Sequence, residues 1–146
     1  MRVDIDFSVN APLEKAWPAL NDIGLIASCV PTCELLAVES QRIHHLKISP
    51  NFGMISATYA GTLTIVARDD LVRISRFLVD ARQSNGLARA KGRVRMRAFE
   101  RAGVTMVKFH ADVHLQGLLA LAPESVVVSL GQTLLREFAK RLEAKL

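Results

Sequence analysis

Three side chains on one short stretch invite a chemical reading first. His110, Asp112 and His114 alternate in Phe109-His-Ala-Asp-Val-His-Leu115. Two imidazoles and a carboxylate are the donor set of a metal triad. On a strand, however, successive residues of one face stand ~7 Å apart. The outer pair is then too far apart to chelate one ion without a bulge. His44 and His45 are adjacent, so on a strand they point to opposite faces and share no ion. Cys29 and Cys33, in Cys-Val-Pro-Thr-Cys, lack the Cys-x-x-Cys spacing of a redox pair and a second pair to complete a zinc site. They read as structural, with a redox or metal role as the alternative. Ser125 and Ser129 have no triad-like context. The chain has no phosphate-binding loop, dinucleotide glycine fingerprint or nucleophile elbow. Asp80 has the chemistry of a general base, but nothing in the pattern selects it. The sequence therefore assigns no catalytic residue, no metal ligand and no required cofactor.

The second chemical feature is charge. Between positions 82 and 101 stand Arg82, Arg89, Lys91, Arg93, Arg95, Arg97 and Arg101, against a single acid, Glu100. The intervening even positions are Ala88, Ala90, Gly92, Val94 and Met96. Strand alternation puts Arg89, Lys91, Arg93, Arg95 and Arg97 on the outer face and the small residues inside. Such a face is either a docking surface for an acidic protein or an anionic lipid, or a solvated face that discourages aggregation. Nucleic acid is not expected as a partner, because no aromatics interleave with the cations to stack on bases.

These residues sit in a chain of 146 residues with a net charge of +5, half apolar but only 5% aromatic. The length suits one domain, taken as 1–146, with a core large enough to need no staples. A charged fraction of 23% argues against disorder. No run reaches the 18 or more apolar residues of a spanning helix. The start has no signal-peptide core, so the chain reads as cytoplasmic, with the inner face of the membrane as an alternative station.

Periodicity supplies the elements. Val3, Ile5, Phe7 and Val9 alternate with polar residues, as in a half-buried strand. Asn10 is placed to cap a helix and Pro12 to start one. Leu13, Ala16, Trp17 and Leu20 follow at helical spacing, and Ile23–Val30 reads as a second short helix. Strands are predicted at Glu34–Glu39, Arg42–Ile48, Met54–Ala67, Val72–Ala81, Leu87–Phe99 and Val104–Leu115. Polar turns join them as an antiparallel meander. Ser125–Leu146 carries Val127, Leu130, Leu134, Phe138 and Leu142 at spacings of three and four, an amphipathic helix of ~30 Å. The fold class is α+β: a curved seven-stranded antiparallel sheet around a long C-terminal helix, with two short helices after the first strand.

Three stretches carry a family resemblance. They are Val9-Asn-Ala-Pro12 through Trp17 and Asp22 to Cys29-Val-Pro31; Tyr59-Ala-Gly61-Thr-Leu63; and Phe109-His-Ala111-Asp-Val113 through Gly117, Leu119 and Ala120 to Phe138-Ala-Lys-Arg-Leu142. In that order the chain resembles the carbon monoxide dehydrogenase CoxG family of the START-like, or SRPBCC, helix-grip superfamily. Thr32 departs from it, standing where the family has glycine after the proline. Ser49-Pro-Asn-Phe52 replaces a valine-glycine-proline turn.

The resemblance implies a deep apolar cavity between sheet and long helix, and no shared catalytic set. It implies a hydrophobic small-molecule partner, a quinone or lipid, and service to a molybdenum-containing carbon monoxide dehydrogenase, a molybdenum hydroxylase. Small inward residues either permit close packing or leave a void, and the resemblance favours the void. The candidate lining is Phe52, Tyr59, Leu63, Phe77, Met96, Phe109, Val127, Leu130 and Leu134, with Tyr59 as the polar handle. Two alternatives stand beside the binding module. One is an adaptor with a filled core that docks through its arginine face. The other is a small cyclase- or hydrolase-like enzyme.

Overall fold

The computed structural model describes the backbone of residues 1–52 and 55–146 and the side chains of 1–50 and 57–146. The chain runs β1 (Arg2–Val9), α1 (Leu13–Leu20), α2 (Ile23–Cys29), β2 (Cys33–Val38), β3 (Ile43–Ile48), β4 (Asn51–Phe52), β5 (Ile55–Ser56), β6 (Tyr59–Asp69), β7 (Ile74–Gln83), β8 (Ala88–Arg101), β9 (Val104–Gly117), a 3-10 turn (Leu118–Leu121) and α3 (Glu124–Lys145). Seven strands form one antiparallel sheet in the order β1-β9-β8-β7-β6-β3-β2, and β4 pairs with β5 apart from it. This is the helix-grip arrangement that the sequence predicts.

β1 shows the cause of its own placement. Its alternate residues Val3, Ile5, Phe7 and Val9 are all buried and the residues between them exposed. Pairing with β9, Ile5 opposite Phe109, closes the sheet on the chain's last strand. Phe7 then packs between Phe109 and Phe138 of α3, with ring centroids 5.5 and 6.1 Å away. The closed end of the core gathers Trp17, Leu20, Phe77, Met96, Val107, Phe138 and Leu142. Buried polar groups there are paired. Asn21 donates to the Trp17 carbonyl, Ser75 donates to Asn21, and Thr105 donates to the Ala11 carbonyl.

Several boundaries differ from the sequence reading. Asn10 does not cap α1; Pro12 occupies the N-cap without a side-chain bond. The first free amide, Leu13 N–H, donates to Glu100 Oε1 of β8 at 2.8 Å, and Asn10 N–H donates to Glu143 Oε1 of α3 at 2.7 Å. β7 starts at Ile74 and not at Val72, because Asp69 Oδ1 accepts the amides of Leu71 and Val72 and holds them in a turn. The expected strand Met54–Ala67 is divided between β5 and β6, and β6 extends to Asp69. Met54 itself lies outside the described residues. α2 stops at Cys29, one residue early, with Val30 as its C-cap. β8 and β9 run on to Arg101 and Gly117, joined by the tight turn Ala102-Gly103, both at positive φ.

The departure at Thr32 resolves in the backbone. Cys33 N–H donates to the Val30 carbonyl at 3.2 Å, closing a turn with Pro31 and Thr32 at its centre. Thr32 has φ 59°, the left-handed region that a turn of this kind reserves for glycine. The loop keeps the glycine geometry with a β-branched residue in it.

Candidate ligand-binding site

The site follows from how α3 meets the sheet. Its C-terminal half is fixed: Phe138, Ala139 and Leu142 are buried, and Lys145 Nζ donates to Ser28 Oγ of α2 at 2.7 Å. Closer to its start, Gly131 crosses β1 so tightly that a methyl group there would stand 2.9 Å from Ile5 Cδ1. The helix thus lies along β1 and α2. Its N-terminal half is held by no buried side chain. Val127, Leu130 and Leu134 are only half-buried.

Beneath that half lies an apolar pocket of about 230 Å³. Its walls are Val127, Leu130 and Leu134 from α3, Tyr59 of β6, Ala81 of β7, Ala90 of β8 and Leu115 of β9, with Ile48, Pro50, Leu119 and Ala122 around the rim. The strand parity explains the space. Ala81 and Ala90 are register partners on the inner face. Two methyl groups stand where larger side chains would reach the helix. Gly61 opposite Ala81 takes this further: a Cβ there would fall 1.8 Å from the Asp80 carbonyl oxygen. The β6–β7 approach at the mouth therefore depends on glycine.

Tyr59 is the polar element of the wall. Its side chain is buried, and its hydroxyl has no hydrogen-bond partner among the described residues. Burial pushes its phenol above the ordinary value, so it stays protonated and able to donate. The described lining has no carboxylate, imidazole or amine. Outside the pocket, the same 3-10 turn turns Leu118 and Leu121 to solvent, 65% and 79% exposed, and Leu87 beside them is 62% exposed. These leucines form an apolar lip beside the opening.

The sequence-predicted lining divides in two. Tyr59, Val127, Leu130 and Leu134 come together in this pocket. Phe77 and Met96 are buried in the closed core, and Leu63 and Phe109 pack against it. The side chain of Phe52 lies outside the described residues. Phe77 points inward because Arg76 and Asp80 take the other parity of β7. For the rim residues Leu119 and Ala122, the only signal in the sequence is the apolar run Leu118–Ala122 before Pro123. The Ala81 contribution requires the β7 register, which alternation alone leaves ambiguous.

The other chemical candidates fall elsewhere. Asp80 faces outward and accepts two bonds from Arg89, at 3.0 and 2.8 Å, which hold its carboxyl below the usual range. His110, Asp112 and His114 share the outer face, and His110 Nδ1 lies 2.6 Å from Asp4 Oδ1. His44 is buried beside Leu63, its Nδ1 without a partner among the described residues. Cys29 is buried and Cys33 half-buried, both as free thiols, and burial pushes the Cys33 thiol up. No described helix is long and apolar enough to cross a membrane.

Comparison with known proteins agrees with this geometry. The profile of the carbon monoxide dehydrogenase CoxG family matches residues 6–146. No curated protein matches the chain in sequence. Among solved structures it is similar to a conserved protein from Geobacillus kaustophilus, 12% identical over 99% of this chain and 94% of that one, with a TM-score of 0.87. It is also similar to a START superfamily protein from Mycobacterium smegmatis, 14% identical over 99% and 95%, with a TM-score of 0.63. The Zhui aromatase/cyclase from Streptomyces sp. R1128 shares 14% identity over 99% and 89%, with a TM-score of 0.58. These likenesses show the fold.

Proposed function

The chain belongs to the carbon monoxide dehydrogenase CoxG family, and from that premise we propose that it is a non-catalytic module that holds a lipophilic molecule beneath α3. The observation that carries this reading is the apolar pocket between the unfixed half of α3 and Ala81 and Ala90. At about 230 Å³ it is smaller than the ~300–1,000 Å³ of a drug-sized site. It suits one ring or a short apolar tail, with the rest of the ligand leaving through the opening. A single polar group on the ligand would meet the Tyr59 hydroxyl. A quinone or a lipid has this form.

The family's name supports service to a carbon monoxide dehydrogenase of the molybdenum-containing type. The leucine lip at Leu87, Leu118 and Leu121 suits an apolar source of ligand, such as the cytoplasmic face of a membrane. The cyclase-like reading has the named aromatase/cyclase as its support, but the described lining offers Tyr59 alone as a titratable group. That favours holding a molecule over transforming it.

The test is a thermal titration of the full chain with short-chain quinones and fatty acids. A ligand that binds only the folded state raises Tm with concentration. The proposal expects such a rise in the wild type and its loss in Leu130→Asp. No rise with any member of the panel would refute it.

A further inference from the structure

The outer face of the sheet holds a second feature, independent of the pocket. Register places Arg76 of β7 directly opposite Arg95 of β8, and Leu78 opposite Arg93. Arg95 faces His110 and Arg93 faces Asp112 on β9. Together with Arg2 these residues line an open groove of about 570 Å³, whose apolar floor includes Leu78 and Val66, each 43% exposed.

The carboxylates nearby are already committed. Asp80 is held by Arg89, and Asp4 by His110 and, at 3.6 Å, by Arg2. Arg76, Arg93 and Arg95 have no carboxylate within 4.0 Å among the described residues. Like charges directly opposite on neighbouring strands repel and destabilise the sheet. A face shaped by solubility alone gains nothing from this placement, since an acid at either position would pair with the other. Unpaired guanidinium groups around exposed apolar floor residues are what a carboxylate-bearing partner would complete.

We infer that this groove docks an acidic segment of a partner protein, its carboxylates on Arg76, Arg93 and Arg95 and an apolar side chain on Leu78 and Val66. A flat anionic bilayer fits less well, because Asp4, Asp6 and Asp112 flank the groove on the same face. Single-stranded nucleic acid fits less well for another reason. Phe99 does share this face, contrary to the expectation of no ring among the cations. Arg97 and Arg101 lie 5.4 and 5.9 Å from its ring centroid, so it is not free for a base.

The experiment measures fluorescence anisotropy of a labelled Glu/Asp-rich peptide with a central leucine against the full chain. Phosphatidylglycerol vesicles and oligothymidylate are the comparison arms. The inference expects binding to the peptide that weakens with salt and falls about tenfold or more in Arg76→Glu. The same substitution, by placing opposite charges across the strands, raises Tm; Arg76→Gln, with no new attraction, weakens the peptide too. Ala90→Phe, which fills the pocket, leaves peptide binding unchanged and separates this claim from the pocket's. Peptide binding indifferent to Arg76→Glu and Arg76→Gln, or tighter binding to vesicles or oligothymidylate than to the peptide, would overturn it.

Discussion

Trp17 donates its indole N–H to Asp70 Oδ1 at 2.8 Å, tying the first helix to the turn between β6 and β7. Arg68 Nε donates to the same oxygen at 2.7 Å. The Trp17 bond, then Arg68, holds the Asp70 carboxyl below its ordinary value. A carboxylate depressed by folding contributes stability above its unfolded value near pH ~4 and loses it as pH falls through the folded value. Asp70→Asn should therefore lower Tm at neutral pH and flatten the decline of Tm below pH ~4. Parallel pH profiles for the two proteins would contradict this role.

Thr32 supplies a prediction of opposite sign. A β-branched residue at φ 59° is strained by roughly 1–3 kcal/mol, while glycine adds about 0.5–1 kcal/mol of unfolded-state freedom. Thr32→Gly should raise stability by about 1 kcal/mol in denaturant unfolding, with an unchanged m-value. A loss of stability would mean that the Thr32 hydroxyl, bonded to the Pro31 carbonyl at 2.6 Å, matters more than the backbone.

Gly61 marks the reverse case. Any Cβ there meets backbone, 1.8 Å from the Asp80 oxygen and 2.7 Å from the Ala81 Cα. Gly61→Ala must part β6 from β7 and should cost about 3 kcal/mol or more. Wild-type unfolding of that variant would show that the strands can separate without loss.

How much of this is legible in the sequence depends on the range of each cause. β1 and β8 can be read because alternation is local: each residue's face follows from its neighbour's. The pairing of β1 with β9 brings Ile5 to Phe109 across the whole chain, and no local pattern carries it. The α1 start is hidden for the same reason, since its amide partner, Glu100, lies 87 residues away. The candidate lining fares likewise. Large inward residues such as Phe77 and Met96 have the look of cavity walls in the sequence, yet they fill the closed end. The space occurs where Ala81 and Ala90 meet, and seeing that pair requires the β7–β8 register.

Pocket and core should also separate energetically. Ala90→Phe adds a ring to the pocket wall, away from the closed core. It should change stability by no more than about 1–2 kcal/mol while abolishing ligand-induced stabilisation. Trp17 fluorescence can follow folding in both proteins, because Asp70 and Tyr59 lie at opposite ends of β6, ~33 Å apart at ~3.3 Å per residue. Global unfolding of Ala90→Phe would show that the pocket wall is part of the core.

The most direct measurement of the central claim is mass spectrometry of an organic extract from the purified full chain. The account predicts a lipophile with one polar end, recovered in proportion to protein from the wild type and missing from Ala90→Phe. Extracts of the two proteins that are alike, with no lipophile in either, would contradict it.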